Sequence, residues 1–278
     1  MSSMQEQRAI AHKYIGGFPW FMVIWGLGGF LLWLALWPLA HMQIIPLWMA
    51  CIVATIVLCY CYLPSHEAQH GIIGRPNTST RWLNELIGHL SMLPMLIPYR
   101  LHRAIHLKHH ANANDPERDP DIYMKADSIW GAAFNAWKSK QPGQAGALAD
   151  NVLDDNPRKQ ELILEALLIT RAVWLAMAIL AWSGFALEVL MIWWIPRQIA
   201  SIYTPVTLSW APHHPMEETG RYRDTRSWKS PVGTILSAGM EYHIVHHLFP
   251  SIPLNKTPAA YRELKPILAR ENMRLGDL

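Results

Sequence analysis

Charge is missing from one long stretch of this 278-residue chain: between Lys13 and Glu67 there is no Asp, Glu, Lys or Arg. That absence excludes an ordinary water-facing surface for the segment. A bilayer-spanning helix needs about 20 apolar residues, so the stretch is long enough for two spans, at 17–37 and 44–63, joined through Pro38, His41 and Pro46. The run is too long for a signal peptide, and no Ala-x-Ala cleavage site stands out after it. Cysteine is scarce as well. Cys51, Cys59 and Cys61 all fall in the second span, which excludes a disulfide framework and leaves buried thiols acting as small apolar groups. An excess of one charge sign is also lacking, since the net charge is +3. This gives no footing for nucleic-acid binding and suits a membrane protein facing anionic lipid. No repeat beyond the apolar hairpins, and no sign of a separate soluble domain, interrupts the chain, so 1–278 reads as one domain.

A second apolar block covers 162–209 and reads as another hairpin, with spans at 162–182 and 185–209 turning near Ser183-Gly184. Glu165, Arg171, Glu188 and Arg197 interrupt it. Ionisable groups at membrane depth face protein or water and are functional candidates; the alternative is that they sit near the span ends. Lys and Arg number 2 before the first hairpin, 11 between Pro64 and Gln160, and 9 after Trp210. The turns expected on the outside hold none. By the positive-inside rule both termini and the segments 64–160 and 210–278 are cytoplasmic. Residues 82–98 are apolar but too short and Pro-broken to span, which fits an interfacial or re-entrant helix. A polar loop is expected at 138–146 and a last helix at about 258–272. The fold class is therefore an all-α membrane protein: four transmembrane helices in two hairpins with a cytoplasmic helical cap.

What the chain does hold is histidine, in three clusters: His66-Glu-Ala-Gln-His70, His106-Leu-Lys-His109-His110 and His243-Ile-Val-His246-His247. Offsets of three and four residues put side chains on one helix face, about 5–6 Å apart. Imidazole is the commonest protein metal ligand, and these eight histidines are twice what one four-coordinate zinc takes. Two H-x-x-H-H matches beside an H-x-x-x-H are improbable by accident. A competing motif is present, because His66-Glu67-Ala68-Gln69-His70 spells the H-E-x-x-H of zinc peptidases, in which Glu is the general base. That reading leaves the other six cluster histidines largely without a role. A metal transporter would want polar ligands inside the spans, which are nearly free of them. A nitrogen-rich site suits iron, zinc or copper. Two irons at a membrane surface would allow O2 to attack an apolar chain arriving from lipid while electrons and protons arrive from water.

These residues resemble the membrane fatty-acid desaturase and hydroxylase superfamily, whose members carry three histidine boxes of this form beside two membrane hairpins. The resemblance covers essentially the whole chain. It implies a non-haem di-iron centre with two iron ions, O2 as co-substrate, and a lipid substrate from the bilayer, with a fatty acyl group favoured. His66, His70, His106, His109, His110, His243, His246 and His247 then become iron ligands. Members often add a ninth histidine before the third box, for which His213 is favoured over His214 in Pro212-His213-His214-Pro215. His102 could reach the same face as His106 but is not required, and His12, His41 and His89 look like bystanders. Carboxylates normally hold the other ring nitrogen of a metal-bound histidine; Glu67, Asp115, Asp119, Asp121 and Glu241 are candidates, with Glu67 and Asp121 as catalytic ones. The element from Asn114 to Asp121, and the run from His246 to Pro253, also look similar to carotenoid ring hydroxylases and ketolases. No His-Pro-Gly-Gly haem motif is present, so electrons are expected from a separate ferredoxin- or cytochrome b5-type donor. The resemblance implies a bacterial inner-membrane enzyme with its site on the cytoplasmic side.

Overall fold

Two long apolar helices account for the charge-free stretch. The computed structural model describes residues 2–141, 153, 156–230 and 233–276, so 142–146 of the expected polar loop lie outside the described residues. Helix α1, Ser3–Tyr14, opens on a Ser2 capping box closed by Gln5. Helix α2, Trp20–His41, runs four residues past its expected end, through Pro38. Proline removes one helical N–H bond, and in the last turn that loss is tolerated, so the reversal falls at 42–46 instead. Helix α3, Leu47–Tyr60, continues into α4, Tyr62–Gln69, giving one 23-residue helical run that carries the first histidine cluster out of the apolar region.

The segment at 82–98 forms α5, Arg81–Met92, then a short turn at Leu93–Met95 and a left-handed Leu96. A helix C-terminus leaves carbonyls without partners. Here Trp193 Nε1 donates to Pro94 O at 2.8 Å and Arg197 Nε donates to Met95 O at 3.2 Å. Side chains of the second apolar block thus satisfy the backbone where α5 ends. Helix α6, Tyr99–Asn112, carries the second cluster, and α7, Ile129–Lys138, follows it.

The second apolar block is one helical path, Lys159–His213, that begins with α8, Lys159–Leu180, and includes α9, Ile195–Pro205. It reverses at Gly184, whose φ of +100° is open to glycine without strain. Trp174 and Trp193 stack edge-on with centroids 5.2 Å apart. An unbroken helix would separate them by about 28 Å, so the block folds back as a hairpin at the expected position. Its second leg packs on α2 and α3 around Trp33, Trp37, Leu58, Ile192 and Trp193, and Met177 of the first leg joins the same cluster.

Of the four ionisable residues in this block, Glu165 pairs with Arg100 at 2.9 Å near the start of α8. Glu188 pairs with His41 at 2.9 Å beside the far turn, and Arg197 holds the Met95 carbonyl. Glu165 and Glu188 therefore sit at leg ends. Arg171 is exposed on α8.

Helix α10, His243–Leu248, bears the third cluster, and α11, Thr257–Arg270, closes the described chain. Ile244, Val245 and Leu248 of α10 are buried against α1 and α11 together with Tyr261, Leu264 and Leu268. Burying such a side chain is worth about 1.5–3 kcal/mol. That face fixes the rotation of α10 and leaves His243, His246 and His247 on the other side. Ion pairs Lys13–Glu263, at 2.6 Å, and Arg270–Glu6 tie α1 to α11.

Candidate metal centre

The first cluster is held in place by backbone bonds around Ala68, between its two histidines. Tyr99 Oη and Asn84 Nδ2 donate to Ala68 O at 2.9 and 3.0 Å, and Arg103 Nε donates to Gln69 O at 2.8 Å. Ala68 O also takes the Gly71 N–H at 3.0 Å, while Arg103 satisfies the Gln69 carbonyl that the end of α4 leaves unpaired. Tyr99 reaches Ala68 only because residue 88 is glycine, since a Cβ there would lie 2.4 Å from the Tyr99 ring.

The nine box and ninth-position histidines, far apart in sequence, converge into two groups. Ligand nitrogens of His66, His70, His106, His110 and His246 all lie within 4.8 Å of one another, and so do those of His109, His213 and His247. His243 lies between the groups, with ring centroids 4.7 Å from His247 and 5.0 Å from His246. His102 stays outside, its Nε2 3.1 Å from the Tyr62 hydroxyl. His214 stacks on Trp210 instead of joining the group. His41 pairs with Glu188, His89 lies 3.9 Å from Glu165, and His12 is exposed on α1.

The donor set fits metal ions. Within the first group the Nε2 atoms of His70 and His106 are 2.9 Å apart, those of His106 and His110 3.1 Å, and those of His110 and His246 2.9 Å. With metal–imidazole bonds of about 2.1 Å, two nitrogens at right angles are about 3.0 Å apart and two at a tetrahedral angle about 3.4 Å apart. The spacing therefore suits a metal with more than four ligands. Both ring nitrogens of buried His66 have no protein partner. In the second group the Nε2 atoms of His109 and His213 are 3.2 Å apart. His109 Nδ1 donates to Asp119 Oδ1 at 2.7 Å and His213 Nδ1 donates to the Asp224 carbonyl at 2.7 Å. With both protons placed on Nδ1, both Nε2 atoms carry lone pairs. Their approach calls for a cation between them: a shared proton or a metal ion. His247 Nε2 is buried without a partner beside them.

Electrostatics follow this division. Burial, then neighbouring imidazoles, hold His106, His110, His243, His246 and His247 well below the usual histidine range, so they stay neutral. Burial opposes charge on His109 too, but the Asp119 hydrogen bond and nearby carboxylates raise it above its ordinary value. Burial pushes the Asp224 carboxyl up to about 6.

Of the carboxylates singled out from the sequence, only Asp119 bonds a cluster histidine. Asp121 accepts from Ser209 Oγ at 2.7 Å and lines a cavity of about 80 Å3 beside His109 and His213. Glu67 is fully buried and accepts the Leu254 N–H at 2.5 Å, while its other oxygen has no partner. Asp115 accepts from the N–H groups of Glu117 and Arg118, and Glu241 from Ser237. Asp224 was missed by sequence reasoning. Besides holding His213, it places Oδ2 4.0 Å from His247 Nδ1. A single acid in an irregular loop has no spacing that could announce this.

The family model for fatty acid desaturases matches residues 42–277. The chain is 23% identical over 256 residues to an omega-3 fatty acid desaturase, chloroplastic, of Ricinus communis, a match covering 78% of this chain and 54% of the relative. It is 23% identical over 231 residues to an sn-1 oleoyl-lipid 12-desaturase of Picosynechococcus, with 73% and 65% covered. To an sn-1 acyl-lipid omega-3 desaturase (ferredoxin) of Nostoc it is 25% identical over 237 residues, with 74% and 64% covered. The chain thus spans roughly half to two thirds of the length of these curated relatives.

Proposed function

We propose that this chain, which belongs to the fatty acid desaturase family, is an integral-membrane oxidoreductase that uses two histidine-held iron ions and O2 to desaturate a lipid acyl chain. The observation that carries the reading is the convergence of nine histidines from four helical elements, eight of them in two adjoining groups and His243 between. His66, His70, His106, His110 and His246 would hold one ion and His109, His213 and His247 the other, with His243 reaching between them. When bound, the iron pair supplies reduction of O2 coupled to removal of hydrogen from an unactivated carbon. In balance, two hydrogens of the chain, two electrons and two protons convert one O2 to two waters.

The protein's own groups prepare that reaction. Asp119 and the Asp224 carbonyl hold the Nδ1 protons of His109 and His213, which aims the Nε2 lone pairs inward. Asp121, pushed towards its protonated form by burial, lines the polar cavity beside those rings and is placed to hand protons from water. Glu67 anchors the loop after the third box through Leu254. A peptidase zinc takes three protein ligands and a water; five imidazoles around one point, and a Glu67 committed to Leu254, fit that chemistry poorly.

The four apolar legs would span the membrane as two hairpins. The weight of Lys and Arg on the segments outside them supports a cytoplasmic cap and termini. The relatives act by name on acyl lipids, one with ferredoxin, which favours an acyl chain over a carotenoid ring and a ferredoxin-type donor over cytochrome b5. Expression in a host making both fatty acids and β-carotene, followed by mass spectrometry of the lipids, tests this. A new acyl double bond that disappears in His109→Ala and His246→Ala is expected; oxygen added to the carotenoid with unchanged acyl chains would contradict it.

A further inference from the structure

The loop at 220–226 is tied to the second histidine group at several points, and to α1 through Tyr222 Oη and the Gln7 side chain. The Asp224 carbonyl accepts from His213 Nδ1 at 2.7 Å and from Asn114 Nδ2 at 2.9 Å. The Arg226 N–H donates to Pro212 O, next to His213, at 3.1 Å. Arg221 Nη2 donates to Leu248 O, next to His247, at 3.0 Å. The loop is therefore one hydrogen bond, or one residue, away from two candidate metal ligands.

Its outer side is basic. Arg221 and Arg223 are exposed, and so is Arg274, which the Ser227 N–H joins to the loop through its carbonyl at 3.0 Å. None of the three makes an ion pair among the described residues. Exposed arginines elsewhere, such as Arg75, Arg118 and Arg171, also make no ion pair among the described residues. Arg221, Arg223 and Arg274 differ in gathering on the loop that holds His213, where Arg223 Nη1 also donates to Asn272 O at 3.4 Å. The acid nearest in sequence, Asp224, is buried with Oδ2 4.0 Å from His247 Nδ1, on the inner side of the loop, and Glu217 pairs with Lys125 at 3.4 Å. Like charges gathered without counter-ions suit a partner that brings the anions. Complementary potentials of this kind raise encounter rates and fix orientation.

We propose that Arg221, Arg223 and Arg274 form the docking face for an acidic one-electron carrier protein of the iron–sulphur class, with the Asp224–His213 hydrogen bond as the shortest connection inward. The proposal rests on the reading of the chain as a desaturase fed by an outside donor. Each encounter would move one electron from the carrier's cluster, oxidised by one, to a metal ion that His109, His213 and His247 would hold, reduced by one. Two encounters supply the pair of electrons that each new double bond requires.

The test compares the full chain with Arg223→Glu/Arg274→Glu and with Arg75→Glu, an exposed cation in another loop. The probe is a reduced plant-type [2Fe–2S] ferredoxin. In the iron-loaded double variant the KM for ferredoxin should rise tenfold or more and lose its dependence on salt. Turnover driven by dithionite and methyl viologen, the KM for acyl lipid, and iron content should match wild type. Calorimetry on the metal-free chain should show the same loss of ferredoxin binding, with Arg75→Glu unaffected. Unchanged ferredoxin kinetics in the double variant overturn the proposal. So does a raised KM for acyl lipid alone, which marks a headgroup site, or weaker binding to anionic vesicles alone, which marks a membrane contact. A wild-type chain driven by viologen but not by ferredoxin also overturns it and leaves the desaturase reading standing. A loaded wild-type chain that desaturates with neither donor ends both.

Discussion

The Nδ1 proton of His109 rests on the Asp119 carboxylate at 2.7 Å, and both side chains are buried. A carboxylate in this position fixes the tautomer and ring orientation of a metal ligand, and its loss commonly weakens metal binding 10–100-fold. Asp119→Asn should therefore lower the affinity of one of two metal sites by about that factor, read by titration with ferrous iron. Asp121→Asn, whose partner is Ser209, should leave that affinity within about threefold of wild type while slowing turnover.

Glu67 separates two chemistries. Because its carboxylate accepts the Leu254 N–H, Glu67→Gln keeps an acceptor in place, and metal content should stay near wild type. Glu67→Ala leaves that N–H unpaired and should cost about 1–3 kcal/mol of stability, read as a lower melting temperature in detergent. A general base would behave otherwise: the Gln variant would lose all activity with unchanged stability.

Gly88→Ala pushes a methyl group onto the Tyr99 ring. Tyr99 must then move away from Ala68 O, the bond that sets the rotation of the first cluster. Overpacking of this kind costs about 1–3 kcal/mol. The variant should lose thermal stability and hold metal more weakly at the five-histidine group, whereas Gly28→Ala, with open space around it, should do neither.

Acid should unfold the metal-free chain. Buried His106, His110, His243, His246 and His247 have folded values well below 6.5. Between those values and 6.5 the unfolded chain binds more protons, so stability rises with pH and is lost as pH falls below 6.5. Melting temperatures of chelated protein between pH 8 and pH 5 should fall steeply on the acid side. Iron-loaded protein should resist to lower pH, because protons must displace the metal from the same nitrogens. Equal, flat profiles would contradict this.

Much of the site was legible because histidine spacing on a helix is a one-dimensional record of a three-dimensional face. His106, His109 and His110 share α6, and His243, His246 and His247 share α10. The hairpin turn at Gly184 was legible too, from hydropathy and one glycine. The division into groups of five and three histidines was not, since it depends on how three helices cross, and neighbours such as His109 and His110 end in different groups. His213 rather than His214 joins the second group because its Nδ1 finds the Asp224 carbonyl. That contact, like the roles of Asp119 and Asp224, is made by loops whose path carries no periodic signal.

The most direct measurement is the metal content of the purified chain and of its His213→Ala variant, by elemental analysis after reconstitution with iron. Two iron ions per chain, with one lost or weakened in the variant, is the expected result. A single zinc that resists exchange, with no bound iron, would contradict the account.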